Sequence, residues 1–128
     1  MVKSVVGVQP HHTAEHTRKL IDKHGFQVVP VLGADGEAVG IVSVSDLIRD
    51  DHKPGTPVSN FMTKKIYSVA QYAGVHVAAR IMRNHKIHHV LVTHEGKVVG
   101  ILSAFDLLKL VEDHRFVMKN APTPKKSS

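Results

Sequence analysis

Two segments of this chain share a residue pattern with chemical potential. Gly40-Ile41-Val42-Ser43-Val44-Ser45-Asp46 and Gly100-Ile101-Leu102-Ser103-Ala104-Phe105-Asp106 both read glycine, two apolar residues, serine, two further residues, aspartate. An apolar run that ends on serine and opens a helix presents free backbone N–H groups and the positive end of the helix dipole, which attract phosphate. The serine hydroxyl adds a donor. A carboxylate three residues on is a natural acceptor for the two hydroxyls of a ribose. The same spacing also builds a helix cap, in which serine takes a backbone N–H and the acid reaches back. For a single occurrence the cap is the simpler reading. Two occurrences add weight to a ligand site, although duplication would copy a cap as well.

Histidine supplies the other candidate groups: 11 of 128 residues, about 9 %. Arg83-Asn84-His85-Lys86-Ile87-His88-His89-Val90 concentrates imidazole and cationic side chains just before a strand-like run. Protonated imidazole beside phosphate forms charge-assisted hydrogen bonds. His12 and His16 stand four apart, one helical turn, which is a spacing that can hold zinc or nickel. No third ligand is evident nearby, so no metal residue is assigned. His52, His76, His94 and His114 read as solvated. There is no cysteine, no nucleophile elbow and no phosphate-binding glycine loop, so no catalytic residue is assigned and an enzyme is not expected. The acidic pairs Asp50-Asp51 and Glu112-Asp113 read as solvated helix ends.

The elements that position these residues follow from an internal repeat. Displaced by 61 positions, Val5–Leu32 lies over Ile66–Thr93, with Leu20 on Ile81, His24 on His85 and Val29 on Val90. One residue is lost in a turn, and the displacement becomes 60: Gly40 meets Gly100, Ser43 meets Ser103 and Asp46 meets Asp106. Each copy reads as a β run (Val5–Val8; Ile66–Val69) and a helix (Thr13–His24; Ala73–His85). A strand (Val28–Leu32; His89–Thr93), a tight turn, a second strand (Ala38–Val42; Lys97–Leu102) and a closing helix follow. The expected fold class is therefore α/β (α+β), with two β-α-β-β-α units packed sheet to sheet about a pseudo-twofold axis. The expected boundaries are 1–50 for the first copy, 51–60 for a joint with Pro54, Gly55 and Pro57, and 61–116 for the second. Residues 117–128 are expected to form a disordered tail.

Composition narrows the partners. The formal charge of +6 favours anions, but only five of the 17 basic residues are arginine and aromatics make up 5 %. With neither a basic stripe nor stacking aromatics, nucleic acid is not the expected partner. The longest apolar runs are far too short to span a bilayer and no signal-peptide pattern opens the chain, so a cytoplasmic location without membrane contact is expected.

The doubled β-α-β-β-α pattern, the Gly-apolar-apolar-Ser-x-x-Asp signature, Met62-Thr63 and the proline-rich joint together resemble a tandem pair of CBS domains, the Bateman module. The resemblance covers about Met1 to Arg115. It implies a regulatory module that binds an adenosine-containing ligand, such as AMP, ADP, ATP or S-adenosylmethionine, in clefts between the repeats, with no required cofactor. It implies ribose contacts for Asp46 and Asp106 and phosphate contacts for Ser43, Ser45 and Ser103. The stretch around His88 is similar to one in the AMP-sensing γ subunits of an energy-sensing kinase, which implies phosphate contacts for His88 and His89. The positions of Ser4, Val5, Lys65, Ile66 and Tyr67 commonly line the base. Pairing across the pseudo-dyad sets Asp46 against His88 and His89, and Asp106 against the uncharged Gln27 and Val28, so the Asp46 cleft is expected to be the better anion site. The family usually forms a homodimer through its helices and acts on an effector protein. Two departures stand out: Pro30 has Leu91 as its counterpart, and the chain starts on the signature methionine. The alternatives are a protein-interaction or nucleic-acid-binding module without a nucleotide, and a metal-responsive protein.

Overall fold

The computed structural model describes residues 6–49 and 52–114. The expected Ser4, Val5 and Asp50-Asp51, and the segment beyond His114, lie outside the described residues. Repeat one contains α1 (Ala14–His24), β1 (Val28–Leu32), β2 (Ala38–Ser43) and α2 (Val44–Arg49). A 3-10 turn at Val58–Asn60 leads to repeat two, with β3 (Ser68–Ala70), α3 (Val75–His85), β4 (His89–His94), β5 (Lys97–Ser103) and α4 (Ala104–His114). No helix among the described residues is long and apolar enough to cross a membrane.

Local chemistry accounts for the helix limits. Thr13 caps α1, its Oγ1 accepting the His16 N–H at 3.1 Å. Ala14, Thr17 and Ile21 form the buried face, and the fully buried Thr17 hydroxyl donates to the Thr13 carbonyl at 2.9 Å. Gly25 ends α1 in the left-handed region at φ 68°, its N–H returning to the Ile21 carbonyl. α3 starts on Gly74 without a side-chain cap and ends on Lys86.

Each repeat has its own sheet and its own core. β1 and β2 are antiparallel, as are β4 and β5, and β3 lies parallel to β4. Val29, Val31 and Val42 anchor one core and Val90, Val92 and Leu102 the other. The first strands depart from expectation. In repeat two the strand is Ser68–Ala70 rather than Ile66–Val69, and in repeat one, among the described residues, only Val8 of the expected strand forms a bridge, to Val31. One residue pair explains the inequality between the repeats. The Leu91 N–H donates to the Tyr67 carbonyl at 3.0 Å, whereas its counterpart Pro30 has no N–H to offer.

Among the described residues, backbone hydrogen bonds join the repeats at two places. Met62-Thr63 runs against β2, with Ile41 and Thr63 exchanging both backbone hydrogen bonds at 2.9 Å. The Val98 N–H of β5 donates to the Gly36 carbonyl in the turn of the first hairpin at 3.0 Å. Gly40 permits the first junction: a Cβ there would stand 2.7 Å from Met62 Sδ and 3.0 Å from the Thr63 carbonyl oxygen. The glycine of the repeated signature therefore marks a close backbone approach.

Candidate functional site

The serine–aspartate signatures form reciprocal caps in both repeats. Asp46 Oδ2 accepts the Ser43 N–H at 2.9 Å and Ser43 Oγ accepts the Asp46 N–H at 3.1 Å. Asp106 Oδ2 accepts the Ser103 N–H at 2.8 Å and the Ser103 hydroxyl at 3.0 Å, while Ser103 Oγ accepts the Asp106 N–H at 3.1 Å. The two carboxylates then differ. Asp46 is buried, 5 % exposed, with Arg49 Nη2 2.9 Å from its Oδ1. Asp106 is half-buried; burial alone would raise its pKa, but the hydrogen bonds from the Ser103 N–H and hydroxyl outweigh it and the net shift is downward.

Each closing helix starts against the first strand of its own hairpin. The Val44 N–H donates to the Gln27 carbonyl at 3.0 Å, and the Ala104 N–H to the His88 carbonyl at 2.8 Å. These contacts bring residues distant in sequence to one cleft of about 410 Å³ between the repeats. Repeat one lines it with Gln27, Val28, Ile41, Ser43, Val44 and Ser45. Thr63, Lys65, Ile66, Tyr67 and the run Lys86 to Leu91 complete the lining. The Tyr67 ring stacks on His85, centroids 4.0 Å apart, which holds its plane.

The electrostatics of the cleft are one-sided. Lys65, Lys86, His88 and His89 line it, and among the described residues no lining residue is acidic. His89 is half-buried, and its pKa is lowered first by burial and then by His88, with Asp106 opposing. At neutral pH the His89 imidazole is therefore neutral, and an anion at its edge would draw a proton onto it.

Of the expected site residues, Ser43, Ser45, Lys65, Ile66, Tyr67, His88 and His89 meet in this cleft. Asp46 and Asp106 do not line it; Asp46 lies one residue behind Ser45. Two expectations need correction. Gln27 and Val28 line this same cleft rather than a second one with Asp106, because the Gln27–Val44 hydrogen bond holds them beside Ser43. Asp106 instead borders a different cavity, between α3 and α4. Lys86 escaped the sequence reading as a site residue. Its signal was present, since it stands where repeat one has the helix-ending Gly25.

Of the histidines read as solvated, His76 is exposed, whereas His52 and His94 are half-buried against other rings. His52 stacks on Phe61 with centroids 4.0 Å apart, and the His94 ring meets Tyr72 edge-on at 5.5 Å. His11, His12 and His16 form a ring cluster with centroid separations of 4.6 and 4.3 Å. His12 Nδ1 accepts the Gln9 N–H at 2.8 Å, so that nitrogen is engaged. Among the described residues no group of three or more histidine or acidic side chains is placed to hold a metal ion.

Comparison with known proteins gives a consistent picture. The CBS-domain family model matches residues 1–53 and again 58–113. A crystal structure of an uncharacterized conserved protein from Pyrococcus horikoshii is 30% identical, covering 94% of this chain and 92% of that chain, with a TM-score of 0.75. The cytosolic domain of the Mg2+ channel MgtE, solved in complex with ATP, is 25% identical over 86% of this chain and 46% of that chain, with a TM-score of 0.76. An uncharacterized 17.7 kDa protein of Acidianus ambivalens is 28% identical over 109 residues, 83% of this chain. The chain spans 66% of that relative's length and as little as 14% of other curated relatives.

Proposed function

Because this chain belongs to the CBS-domain family, we propose that it is a regulatory module whose inter-repeat cleft binds an adenosine-containing ligand: AMP, ADP, ATP or S-adenosylmethionine. One observation carries the reading. The cleft gathers Lys65, Lys86, His88 and His89, with no acidic lining residue among the described residues, beside the Ser43 and Ser45 hydroxyls. This arrangement suits a phosphate-bearing ligand. The ATP complex of the MgtE cytosolic domain supports the ligand class.

In this reading Ser43, Ser45, His88 and His89 take the phosphates, with Lys86 as an added cation. Ile66, Tyr67 and the Lys65 stem receive the base. Asp46 takes the ribose hydroxyls, using lone pairs that Ser43 and Arg49 leave over. Asp106 and Ser103, with Ser4 and Val5, form a second and weaker site. The module acts in the cytoplasm as a homodimer on an effector protein. Dimerisation is supported by Phe105, Leu108 and Val111, a stripe along α4 whose members are 82%, 63% and 53% exposed.

Thermal unfolding of the purified chain with each of the four ligands at millimolar concentration tests the proposal. A ligand at a hundredfold excess over its Kd adds about 2.7 kcal/mol of stability. A panel without any melting shift overturns it.

A further inference from the structure

The joint between the repeats is clasped by the start of α1 and the turn before it. The Ala14 and Glu15 N–H groups donate to the carbonyls of Thr56 and Pro54 at 2.8 and 3.1 Å. In return the Val58 and Ser59 N–H groups donate to the carbonyls of His12 and Pro10 at 2.8 and 3.1 Å. Val58 is 0% exposed and sits in the core of repeat one with Val8, Ala14 and Leu47. Its carbonyl accepts the Met62 N–H at 2.8 Å, one residue before the Thr63 that pairs with Ile41. The clasp therefore lies on the path that ties repeat one to the cleft-lining Thr63.

Gln9 and His12 close the turn with two hydrogen bonds. The His12 N–H donates to the Gln9 carbonyl at 3.0 Å, and the Gln9 N–H donates to His12 Nδ1 at 2.8 Å. An N–H donor needs a bare Nδ1, so the neutral ring carries its proton on Nε2. A second proton has only Nδ1 to occupy, where it would face the Gln9 N–H, donor against donor. The ring is also flanked by those of His11 and His16, with centroids 4.6 and 4.3 Å away. Burial, then His16 and then His11 hold the His12 pKa below its ordinary 6.5. Glu15, the acidic residue in the first turn of α1, pairs with Lys19 at 3.8 Å. On the joint, His52 stacks on Phe61, Lys53 is exposed, and residues 54–60 carry no ionisable side chain.

We propose that His12 is an acid-sensitive latch on this joint: protonation expels its ring from the Gln9 turn and releases the joint from the start of α1. The carbonyls that hold Val58 and Ser59 belong to that same turn, so loss of the Gln9–His12 bond loosens both. Once charged, the ring gains by leaving the two neighbouring imidazoles for water. The released state takes up the proton first as pH falls. The joint is therefore held fast above about pH 6.5 and let go progressively below it. The latch uses atoms of the turn and the joint alone, and works whatever the cleft binds.

Amide hydrogen exchange and imidazole NMR on the full chain test this. Corrected for the intrinsic pH dependence of exchange, the Val58 amide should lose protection at least about tenfold between about pH 7.5 and about pH 5, with the midpoint of the His12 ring titration. Val98, at the other contact between the repeats, should keep its protection. His12→Asn offers an amide oxygen where Nδ1 stood and does not titrate, so Val58 should stay protected across the range. His12→Ala has no acceptor, and should leave Val58 as exposed to exchange at neutral pH as acid leaves it in the native chain. A His12 ring still neutral at about pH 5 overturns the proposal, as does native Val58 protection that ignores pH. An acid loss shared equally by Val98 overturns it too, assigning the change to unfolding of the whole chain. So does a loss that persists in His12→Asn.

Discussion

Lys86 occupies in repeat two the left-handed helix-ending position that Gly25 holds in repeat one, at φ 55° against 68°. A side chain in that region costs about 1 kcal/mol relative to glycine. The lysine lines the inter-repeat cleft, whereas Gly25 does not. Lys86→Gly should therefore stabilise the free protein by about 1 kcal/mol, a melting rise of about 4 °C, while weakening nucleotide binding. Thermal unfolding and a binding titration on the same variant separate the two effects. A gain in stability with unchanged affinity would remove Lys86 from the site.

The two signature aspartates should not be equivalent. Asp46 is buried, and its loss leaves the Ser43 N–H without its acceptor and removes the contact to Arg49, a cost of about 2 kcal/mol. Asp106→Ala, at a half-buried cap, should cost about 1 kcal/mol. In binding, Asp46→Ala should lose far more affinity than Asp106→Ala. Asp46→Asn keeps an acceptor for the cap and isolates the ribose contact. Equal loss of affinity from the two alanine variants would refute the ranking of the sites.

The pH dependence has a definite sign. Burial and His88 hold the His89 pKa below its ordinary value of 6.5 in the free protein. The unfolded chain then binds the proton first as pH falls, so stability is complete above about 6.5 and declines below it, through the folded-state pKa. A bound phosphate reverses the preference by favouring imidazolium. Affinity should therefore rise as pH drops from about 8 towards about 6, where phosphate protonation starts to oppose it. Calorimetric titration across that range should show proton uptake on binding, and His89→Gln should flatten the profile.

Gly40→Ala should act on stability and site together. The new methyl group would press on Met62 and on the Thr63 carbonyl, which is backbone and gives little. We expect about 1–3 kcal/mol of destabilisation by chemical denaturation. Thr63 lines the cleft, so reduced nucleotide affinity should accompany it.

Phe105→Asp places a charge in the exposed apolar stripe of α4. Sedimentation should show the dimer giving way to monomer, with melting temperature losing its concentration dependence. A native chain that sediments as a monomer at every concentration would remove the dimer from the proposal.

The sequence by itself determined the repeat, the helix and strand order, and the helix ends at His24 and His85. These follow from short-range rules, namely spacing of apolar side chains, caps and turn glycines. Pro30 against Leu91 even carried the reason for unequal sheets, since a missing N–H is a property of the residue itself. Tertiary structure decided what each carboxylate and cation faces. The same Ser-x-x-Asp spacing buries Asp46 beside Arg49 and leaves Asp106 at a separate cavity, because Val58 plugs one repeat and no described residue plugs the other. Ser43 meets Lys86 and His88 across more than forty residues only because two sheets, crossed by Met62-Thr63, enclose a common cleft. Periodicity along a chain fixes which side of an element is apolar; which charges converge across a gap depends on how separate elements pack.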